Sequence, residues 1–328
     1  MSLALVGDIG GTNARFALWR DGGLHGVRVS ATADHATVEQ AIVAYLAAEG
    51  LALGEVQTIC LACAGPVEID PFRFTNNAWR IDRQAFCAEL QVRELLLLND
   101  FSAMALGMTC LQDDEYITVC PGVAQPGRPA VVIGAGTGLG VGTLLSLPDG
   151  SWHALPGEGG HVDLPVGSNR EALIWQALHR QLGHVSAEAG ALSGNGLLAL
   201  YRATCAVDGQ SAPLQSAAQV TRAALEGEPL AVNVLELFCC LLGRVAGNNV
   251  LTVGGRGGVF IAGGMVPRFA DFFMASGFSR SLRDKGCMSD YFDGLPVWLV
   301  TAPYPGLVGA GVAVEQHLQR NQHPEHSV

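Results

Sequence analysis

The stretch ALVGDIGGTNARFALW, residues 4–19, consists of two apolar runs separated by a glycine-rich turn. Short apolar runs on either side of such a turn predict a β-hairpin. Because glycine has no Cβ and tolerates positive φ, the turn lets an anion approach the backbone N–H groups. An unliganded tight hairpin is the alternative for one such turn taken alone. We predict that this hairpin binds phosphate and that the Thr12 hydroxyl is a further donor to it. Asp8 is predicted to hold a metal ion or its water shell. The predicted contact residues are Gly7, Asp8, Ile9, Gly10, Gly11 and Thr12.

A second copy of this pattern, AVVIGAGTGLGVGTLL, occupies residues 130–145. Its turn contains Gly136, Thr137 and Gly138, and two such hairpins suggest a nucleotide held between two similar half-molecules. The glycines alternate, so the G-x-G-x-x-G spacing of dinucleotide-binding turns does not occur. The only lysine is Lys285, which excludes P-loop kinases, lysine Schiff-base enzymes and pyridoxal-phosphate enzymes.

Composition narrows the possible partners. The chain of 328 residues has 19 basic and 30 acidic residues, and a formal charge of −11 disfavours nucleic acid and anionic lipid. Although 49% of the residues are hydrophobic, the long uncharged stretch 129–148 has alternating glycines and is bounded by prolines. It predicts two buried strands and a turn, so we expect no membrane span. The beginning, MSLALVGD, has no positive n-region, which predicts a cytoplasmic protein.

Strands and helices alternate along the chain, which predicts the α/β class. The short apolar run ELLLL, 94–98, predicts a buried strand that ends at Asn99 and Asp100. Ligand sites in open α/β sheets gather at the carboxyl ends of strands, so these two residues are site candidates. The other predicted strands are 56–63, 259–264 and 296–301, and the predicted helices are 37–50, 83–90, 101–111, 170–182 and 305–318.

The motifs taken together resemble the bacterial glucokinase family. They are DIGGTNAR (8–15), LLNDF (97–101), GAGTGLG (134–140), LPGEGGHVD (155–163), HVSAE (184–188), LSGNGL (192–197) and FIAGG (260–264). The resemblance implies the two-domain, actin-like ATPase fold, related to ribonuclease H, of the hexokinase, actin and Hsp70 superfamily, with a ligand cleft between the domains. It implies ATP-dependent phosphorylation of D-glucose at its 6-hydroxyl, with Mg²⁺, by a cytoplasmic homodimer. The implied division is a small domain at 1–110 plus 300–320, a large domain at 111–299 and a polar tail at 321–328.

Asp100 is the candidate catalytic residue. A sugar hydroxyl is a poor nucleophile, and a carboxylate can orient it and accept its proton in phosphoryl transfer. Asn99 can donate and accept toward other sugar hydroxyls. The alternative for Asp100 is a solvated cap of the helix 101–111.

Three more residues are candidate sugar contacts: Glu158, His161 and Glu188. Carboxylate and imidazole groups suit vicinal hydroxyls, which need both acceptors and donors. A zinc site at His161 is disfavoured because no cysteine or histidine lies at ligand spacing from it. In the loop TNNAW, Asn76 and Trp79 could place an amide and a ring near the sugar, although the tryptophan could equally pack between the domains.

Gly263 and Gly264 follow the strand VFIA and would let adenine lie against the backbone, unless they form a plain strand-to-helix turn. Three other functions compete with glucose phosphorylation. A kinase for another hexose or polyol would share all the residues above. A sugar-responsive repressor would need a helix-turn-helix and a basic surface, and an Hsp70-like module would need a partner-binding extension.

Overall fold

The computed structural model describes residues 3–74 and 77–322, which form two compact units. The first unit contains the described residues up to Leu111, Asp149–Pro156 and those from Ala302 onward. The second contains Gln112–Pro148 and Gly157–Thr301. The sequence-based division differs from these units at residues 149–156, which it placed in the large domain, and by one or two residues at the boundaries near 111 and 300. Asn76 and residues 323–328 of the predicted tail lie outside the described residues.

A five-stranded sheet with the order β3-β2-β1-β4-β7 forms the centre of the first unit. Strands β1, β4 and β7 are parallel neighbours, whereas β2 and β3 are added antiparallel. With elements numbered along the chain, the strands of the unit are β1 (Ala4–Ile9), β2 (Asn13–Arg20), β3 (Gly23–Ala31), β4 (Thr58–Cys63), β5 (Phe72–Arg73), β6 (Arg80–Ile81), β7 (Glu94–Asn99) and β11 (Trp152–Leu155). Its helices are α1 (Val38–Ala48), α2 (Arg83–Leu90), α3 (Asp100–Gly107) and α11 (Pro305–Gln322).

Helices cover both faces of this sheet, which explains why all six residues of β4 are buried. One face packs Phe16 and Leu61 against α1 and α2. The other face packs Val6 and Trp19 against α11. Strand β4 alternates between the two cores because successive side chains of a strand point to opposite faces.

Helices α3 and α11 approach each other so closely that their backbones touch. A Cβ at Gly309 would lie 1.7 Å from the carbonyl oxygen of Ala103. A Cβ at Gly107 would lie 2.2 Å from the carbonyl oxygen of Pro305. The crossing therefore requires glycine on both helices, and it fixes the position of α3, which begins at Asp100.

The second unit has its strands in the order β10-β9-β12-β13-β8, with β9, β12 and β13 parallel. The strands are β8 (Tyr116–Cys120), β9 (Ala130–Ala135), β10 (Leu139–Ser146), β12 (Gly258–Ala262) and β13 (Val297–Val300). The helices are α4 (Asn169–Leu182), α5 (Ala187–Gly190), α6 (Gly194–Val207), α7 (Ala217–Leu225), α8 (Pro229–Val253), α9 (Ala270–Ala275) and α10 (Phe278–Arg283).

Helix α8 is long and apolar enough to cross a membrane by length and composition alone. It is the one such helix in the described part of the chain, and 67% of its most apolar window is buried inside the protein. Its inward residues, among them Phe238 and Leu242, belong to the core of the second unit. This burial is what the core helix of a globular protein shows.

Both predicted glycine hairpins are confirmed: β1 pairs antiparallel with β2, and β9 pairs antiparallel with β10. The helix predicted at 101–111 begins one residue earlier and ends at Gly107, after which Met108–Cys110 form a 3₁₀ turn. The last helix continues to Gln322 rather than 318. The first two residues of the predicted polar tail, Asn321 and Gln322, are the last two of this helix.

Candidate functional site

In the first unit, the carboxyl ends of β1, β4 and β7 meet at one edge of the sheet. Ile9, Cys63 and Asn99 are register partners across these three strands. Burial raises the pKa of the Cys63 thiol, and the nearby charges of Asp100 and Asp8 raise it further. The two predicted carboxylates, Asp8 and Asp100, therefore lie near the same buried thiol.

Asp8 forms an ion pair with Arg15, its register partner on β2, at 3.0 Å between Oδ2 and Nη1. Its carboxyl group also faces the beginning of α11, since a Cβ at Gly306 would lie 3.6 Å from its carboxyl carbon. Burial raises the pKa of Asp8, and Arg15 partly opposes that rise. The Arg15 guanidinium and the α11 N-terminus both favour the ionised carboxylate.

The turn of the first hairpin keeps unused donors. The N–H of Gly10 donates to the carbonyl oxygen of Asn13 at 2.9 Å and closes the turn. The N–H groups of Gly11 and Thr12 have no acceptor among the described residues, and Thr12 is exposed. Gly10 does not have positive φ, so the turn uses the absence of its Cβ and not a left-handed conformation.

Two predicted contacts of this hairpin lie outside the turn itself. Gly7 is inside β1, where a Cβ would lie 2.6 Å from the Leu61 side chain and 3.1 Å from Phe16. Close packing therefore explains the glycine at this position without a ligand. The Ile9 side chain is buried in the core, so only its backbone remains for the predicted contact.

Asn99 caps helix α3. Its Oδ1 accepts from the N–H groups of Phe101 and Ser102 at 2.9 and 3.1 Å. The capping role that was the alternative for Asp100 thus belongs to Asn99, whose Nδ2 is the group left for a sugar hydroxyl. Asp100 is the first residue of α3, and its Oδ1 accepts from Phe101 N–H at 2.9 Å.

The described part of the TNNAW loop contacts the first hairpin. Asn77 Nδ2 donates to the carbonyl oxygen of Gly10 at 3.2 Å, and its Oδ1 accepts from Trp79 N–H. The Trp79 ring is only 4% exposed, and its indole N–H donates to the carbonyl oxygen of His35. Trp79 belongs to the core of the first unit. This packing disfavours the predicted role of its ring beside the sugar.

The second hairpin has a turn of the same design. Gly136 N–H donates to the carbonyl oxygen of Gly138 at 2.8 Å, while the N–H groups of Thr137 and Gly138 have no acceptor among the described residues. A Cβ at Gly136 would come no nearer than 4.0 Å to its closest neighbour. Two turns in the chain thus each present a pair of unused N–H donors beside a threonine.

Glu158 and His161 lie at the two ends of a single 3₁₀ turn, Gly159–His161. Their side chains are both exposed, with 3.8 Å between Oε2 and Nε2. The two glycines between them are required by close packing. A Cβ at Gly159 would lie 2.7 Å from Val141, and one at Gly160 would lie 1.9 Å from the carbonyl oxygen of Leu139. The glycines let the loop pack directly on β10.

Glu188 lies in the short helix α5, which Ser186 caps. The helix is held beside the loop of Glu158 by a bond from Ala187 N–H to the carbonyl oxygen of Val162. Glu188 Oε2 accepts from the N–H of Leu139, the first residue of β10, at 2.7 Å. The structure thus brings Glu188 to both the Glu158 loop and the turn of the second hairpin.

The predicted adenine contacts lie next to the same turn. Gly263 follows β12, the parallel neighbour of β9. It has φ of +83°, and a Cβ there would lie 2.6 Å from the carbonyl oxygen of Ala135, so glycine is required on both counts. A Cβ at Gly264 would meet nothing within 4 Å, which leaves open space at that backbone.

Taken by itself, each turn has donors of the kind that phosphate accepts from, and Asp8 is a carboxylate of the kind that Mg²⁺ binds. The unused N–H donors of the two turns are groups that phosphate oxygens accept from. In the described part of the chain, no three His, Cys, Asp or Glu side chains could together hold a metal ion. Mg²⁺ in phosphoryl-transfer sites is held by one or two carboxylates together with substrate phosphates and water. Asp8, whose side chain is one quarter exposed, fits that donor set.

Sequence reasoning missed three contacts that organise these sites. They are the pairing of Asp8 with Arg15, the bond from Asn77 to the first turn, and the bond from Leu139 to Glu188. Only the first had a local signal, because residues 8 and 15 are symmetric about the predicted hairpin turn. The other two join segments separated by 67 and 49 residues.

The glucokinase family model matches residues 5–317 of the chain. A glucokinase of Pseudomonas paraeruginosa is 54% identical over 317 residues, which cover 96% of this chain and 93% of the relative. A crystal structure of a glucokinase from an Antarctic psychrotroph superimposes with a TM-score of 0.86 at 32% identity and covers 96% of this chain and 99% of that chain.

The fold is also similar to that of a ROK family glucokinase from Streptomyces griseus, solved in complex with glucose and AMPPNP. Its TM-score is 0.59 at 21% identity, with coverage of 96% of this chain and 100% of that chain. The fold is therefore the actin-like ATPase fold of glucokinases and ROK sugar kinases, as the sequence predicted.

Proposed function

Because the chain belongs to the glucokinase family, we propose that it transfers the γ-phosphoryl group of ATP to the 6-hydroxyl of D-glucose. One observation supports the proposal most directly. The first unit places a carboxylate, Asp100, and a turn with unused N–H donors at the same edge of one sheet. The two halves of a phosphoryl transfer, activation of a hydroxyl and binding of phosphate, are available there.

In the proposed reaction, Asp100 orients the 6-hydroxyl and accepts its proton. The sugar oxygen forms a bond to the γ-phosphorus while the bond from that phosphorus to the bridging oxygen of ADP breaks. The N–H groups of Gly11, Thr12, Thr137 and Gly138 would stabilise phosphate oxygens. Mg²⁺, held through Asp8 and its water, would neutralise charge on the phosphates when bound.

Glu158, His161 and Glu188 are the proposed partners of the other sugar hydroxyls. They provide acceptors, and His161 provides a donor or an acceptor according to its tautomer. The Nδ2 of Asn99 is the proposed donor from the cap of α3. Asn76 stays a predicted contact of the sugar. Gly263 and Gly264 stay the residues whose backbone is predicted to contact adenine.

The experiment that tests the proposal is Asp100→Asn. The amide keeps the shape of the side chain and can hydrogen-bond a hydroxyl, so calorimetric titration should show glucose binding with a modest loss. Because it cannot accept the proton, kcat should fall by about 10²–10⁴-fold, with a smaller change in KM. The loss should persist at every Mg²⁺ concentration. A variant that binds glucose and turns over at the wild-type rate would place the base elsewhere.

A kinase for another hexose or polyol is the second candidate, because the residues named above recognise hydroxyl groups without defining their stereochemistry. ADP release measured across a panel of hexoses separates the two. A cytoplasmic homodimer also remains a proposal, which comes from the family resemblance. Light scattering of the purified protein and fractionation of the native cell test it.

A further inference from the structure

The motif LSGNGL, residues 192–197, has no part in the proposed chemistry, yet it contacts the second phosphate turn. Gly194 N–H donates to the carbonyl oxygen of Gly136 at 2.9 Å. Ser193 caps α6 through Gly196 N–H, and its hydroxyl also donates to the carbonyl oxygen of Glu188 at 3.0 Å. The backbone of Glu188 is thereby linked, through Ser193 and Gly194, to the backbone of the second phosphate turn.

The Glu188 carboxylate makes a second connection, in which its Oε2 accepts from Leu139 N–H at 2.7 Å. This oxygen fills the space where a side chain at residue 138 would be, since a Cβ at Gly138 would lie 2.6 Å from it. Oε1 has no hydrogen-bond partner among the described residues. The carboxylate thus has one oxygen bound next to the phosphate turn and one oxygen without a partner among the described residues.

We propose that Glu188 is a positioning residue that couples hexose binding to the shape of the second phosphate turn, residues 136–138. The proposal rests on the proposed function, in which Glu188 contacts the sugar and the turn contacts the nucleotide. A hydroxyl bound at Oε1 fixes the carboxylate, and the carboxylate fixes the N–H of Leu139 and with it the turn. Because thermodynamic coupling is reciprocal, a nucleotide on the turn also favours hexose binding.

The first test measures the affinity for trinitrophenyl-ATP without sugar. Glu188→Ala removes the acceptor of Leu139 N–H and should weaken binding by about tenfold. Glu188→Gln keeps an oxygen acceptor at that position and should bind the nucleotide as the wild type does. Glu158→Ala, which removes the other candidate sugar carboxylate, is the matched control and should also leave this affinity unchanged. Circular dichroism and thermal melting establish that each variant is folded.

The second test perturbs the turn and measures glucose affinity without nucleotide. Gly138→Ala introduces a Cβ that displaces the Glu188 carboxylate, so glucose binding should weaken by about tenfold. Gly136→Ala is the control, because its Cβ has ordinary space and Glu188 does not have to move. The same glucose affinity in both variants would overturn the proposal.

Different results would overturn the proposed function and the proposed coupling. If the wild type bound neither glucose nor trinitrophenyl-ATP, the proposed function would fail. If the wild type bound both, but Glu188→Ala kept full nucleotide affinity and Gly138→Ala kept full glucose affinity, only the coupling would fail. If Glu188→Ala did not fold, the folded variants Gly138→Ala and Gly136→Ala would decide the question.

Discussion

Substitution of Gly309 by alanine should impair catalysis from a position that touches no substrate. The new Cβ would lie 1.7 Å from the carbonyl oxygen of Ala103. Ordinary Cβ contacts begin at about 3.4 Å, so α3 and α11 would have to separate by roughly 1.7 Å at this point. Asp100 lies one turn from Ala103 at the start of α3 and would move with the helix. A displacement of about 1 Å in a catalytic group can reduce the rate by about 10²-fold, which is the fall in kcat that we expect.

The measurement combines steady-state ADP release with thermal unfolding, because overpacking also costs about 1–3 kcal/mol of stability. Gly311→Ala is the matched control. It lies on the same helix, and its Cβ would lie 2.2 Å from the Trp19 ring rather than from α3. It should lose stability and keep its kcat. If folded Gly309→Ala had the same kcat as Gly311→Ala, the idea that the helix crossing positions Asp100 would be refuted.

Three further predictions concern the nucleotide and the sugar. Gly10→Val and Gly136→Val should each abolish binding of a fluorescent ATP analogue while the protein stays folded, because the branched side chain fills the space through which phosphate approaches the turn. Unchanged affinity in both variants would contradict phosphate binding at the turns. Arg15→Met should raise the pKa of Asp8 further, so that Mg²⁺-dependent nucleotide binding is lost at a higher pH on acidification. Folding raises the pKa of Asp8, so its ionised form destabilises the folded state. The free energy of unfolding that Arg15→Met loses should therefore become smaller as the pH falls and Asp8 is protonated. Glu158→Gln should weaken glucose binding by about 1.5–3 kcal/mol in calorimetry and leave nucleotide binding without sugar unchanged, and the opposite pattern would assign Glu158 to the nucleotide.

The features that the sequence predicted correctly are those with local causes. The hairpins at residues 4–19 and 130–145 follow from apolar runs and a glycine turn within a few residues of each other. The placement of Asn99 and Asp100 at the end of a strand follows from the apolar run before them and from their own polarity. The prediction that this strand is buried is wrong, because β7 lies at the edge of its sheet and only Leu97 in it is buried.

The features that could not be predicted from the sequence depend on packing between residues that are far apart in the chain. Gly7, Gly159 and Gly160 are glycines because a neighbouring strand lies too close for a Cβ, and no nearby residue indicates that strand. The bond from Leu139 to Glu188 spans 49 residues and needs both hairpin and helix to be in place. The grouping of Asp149–Pro156 with the first unit also depends on tertiary contacts, in this case with α3.

The first unit is assembled from widely separated parts of the chain, and this has a consequence for its biosynthesis. Strands β1 and β4 are complete by residue 63, whereas α11, which covers one face of their sheet, begins at Pro305. At about 5–20 residues per second, the ribosome needs roughly ten to fifty seconds to make the intervening chain. During that time the apolar face around Val6 and Trp19 lacks its covering helix, and α3 lacks the helix that positions it. A nascent chain thus cannot hold the proposed catalytic aspartate, Asp100, in place until translation is nearly finished. Until then, the uncovered face of the sheet is the part of the first unit that needs protection from aggregation.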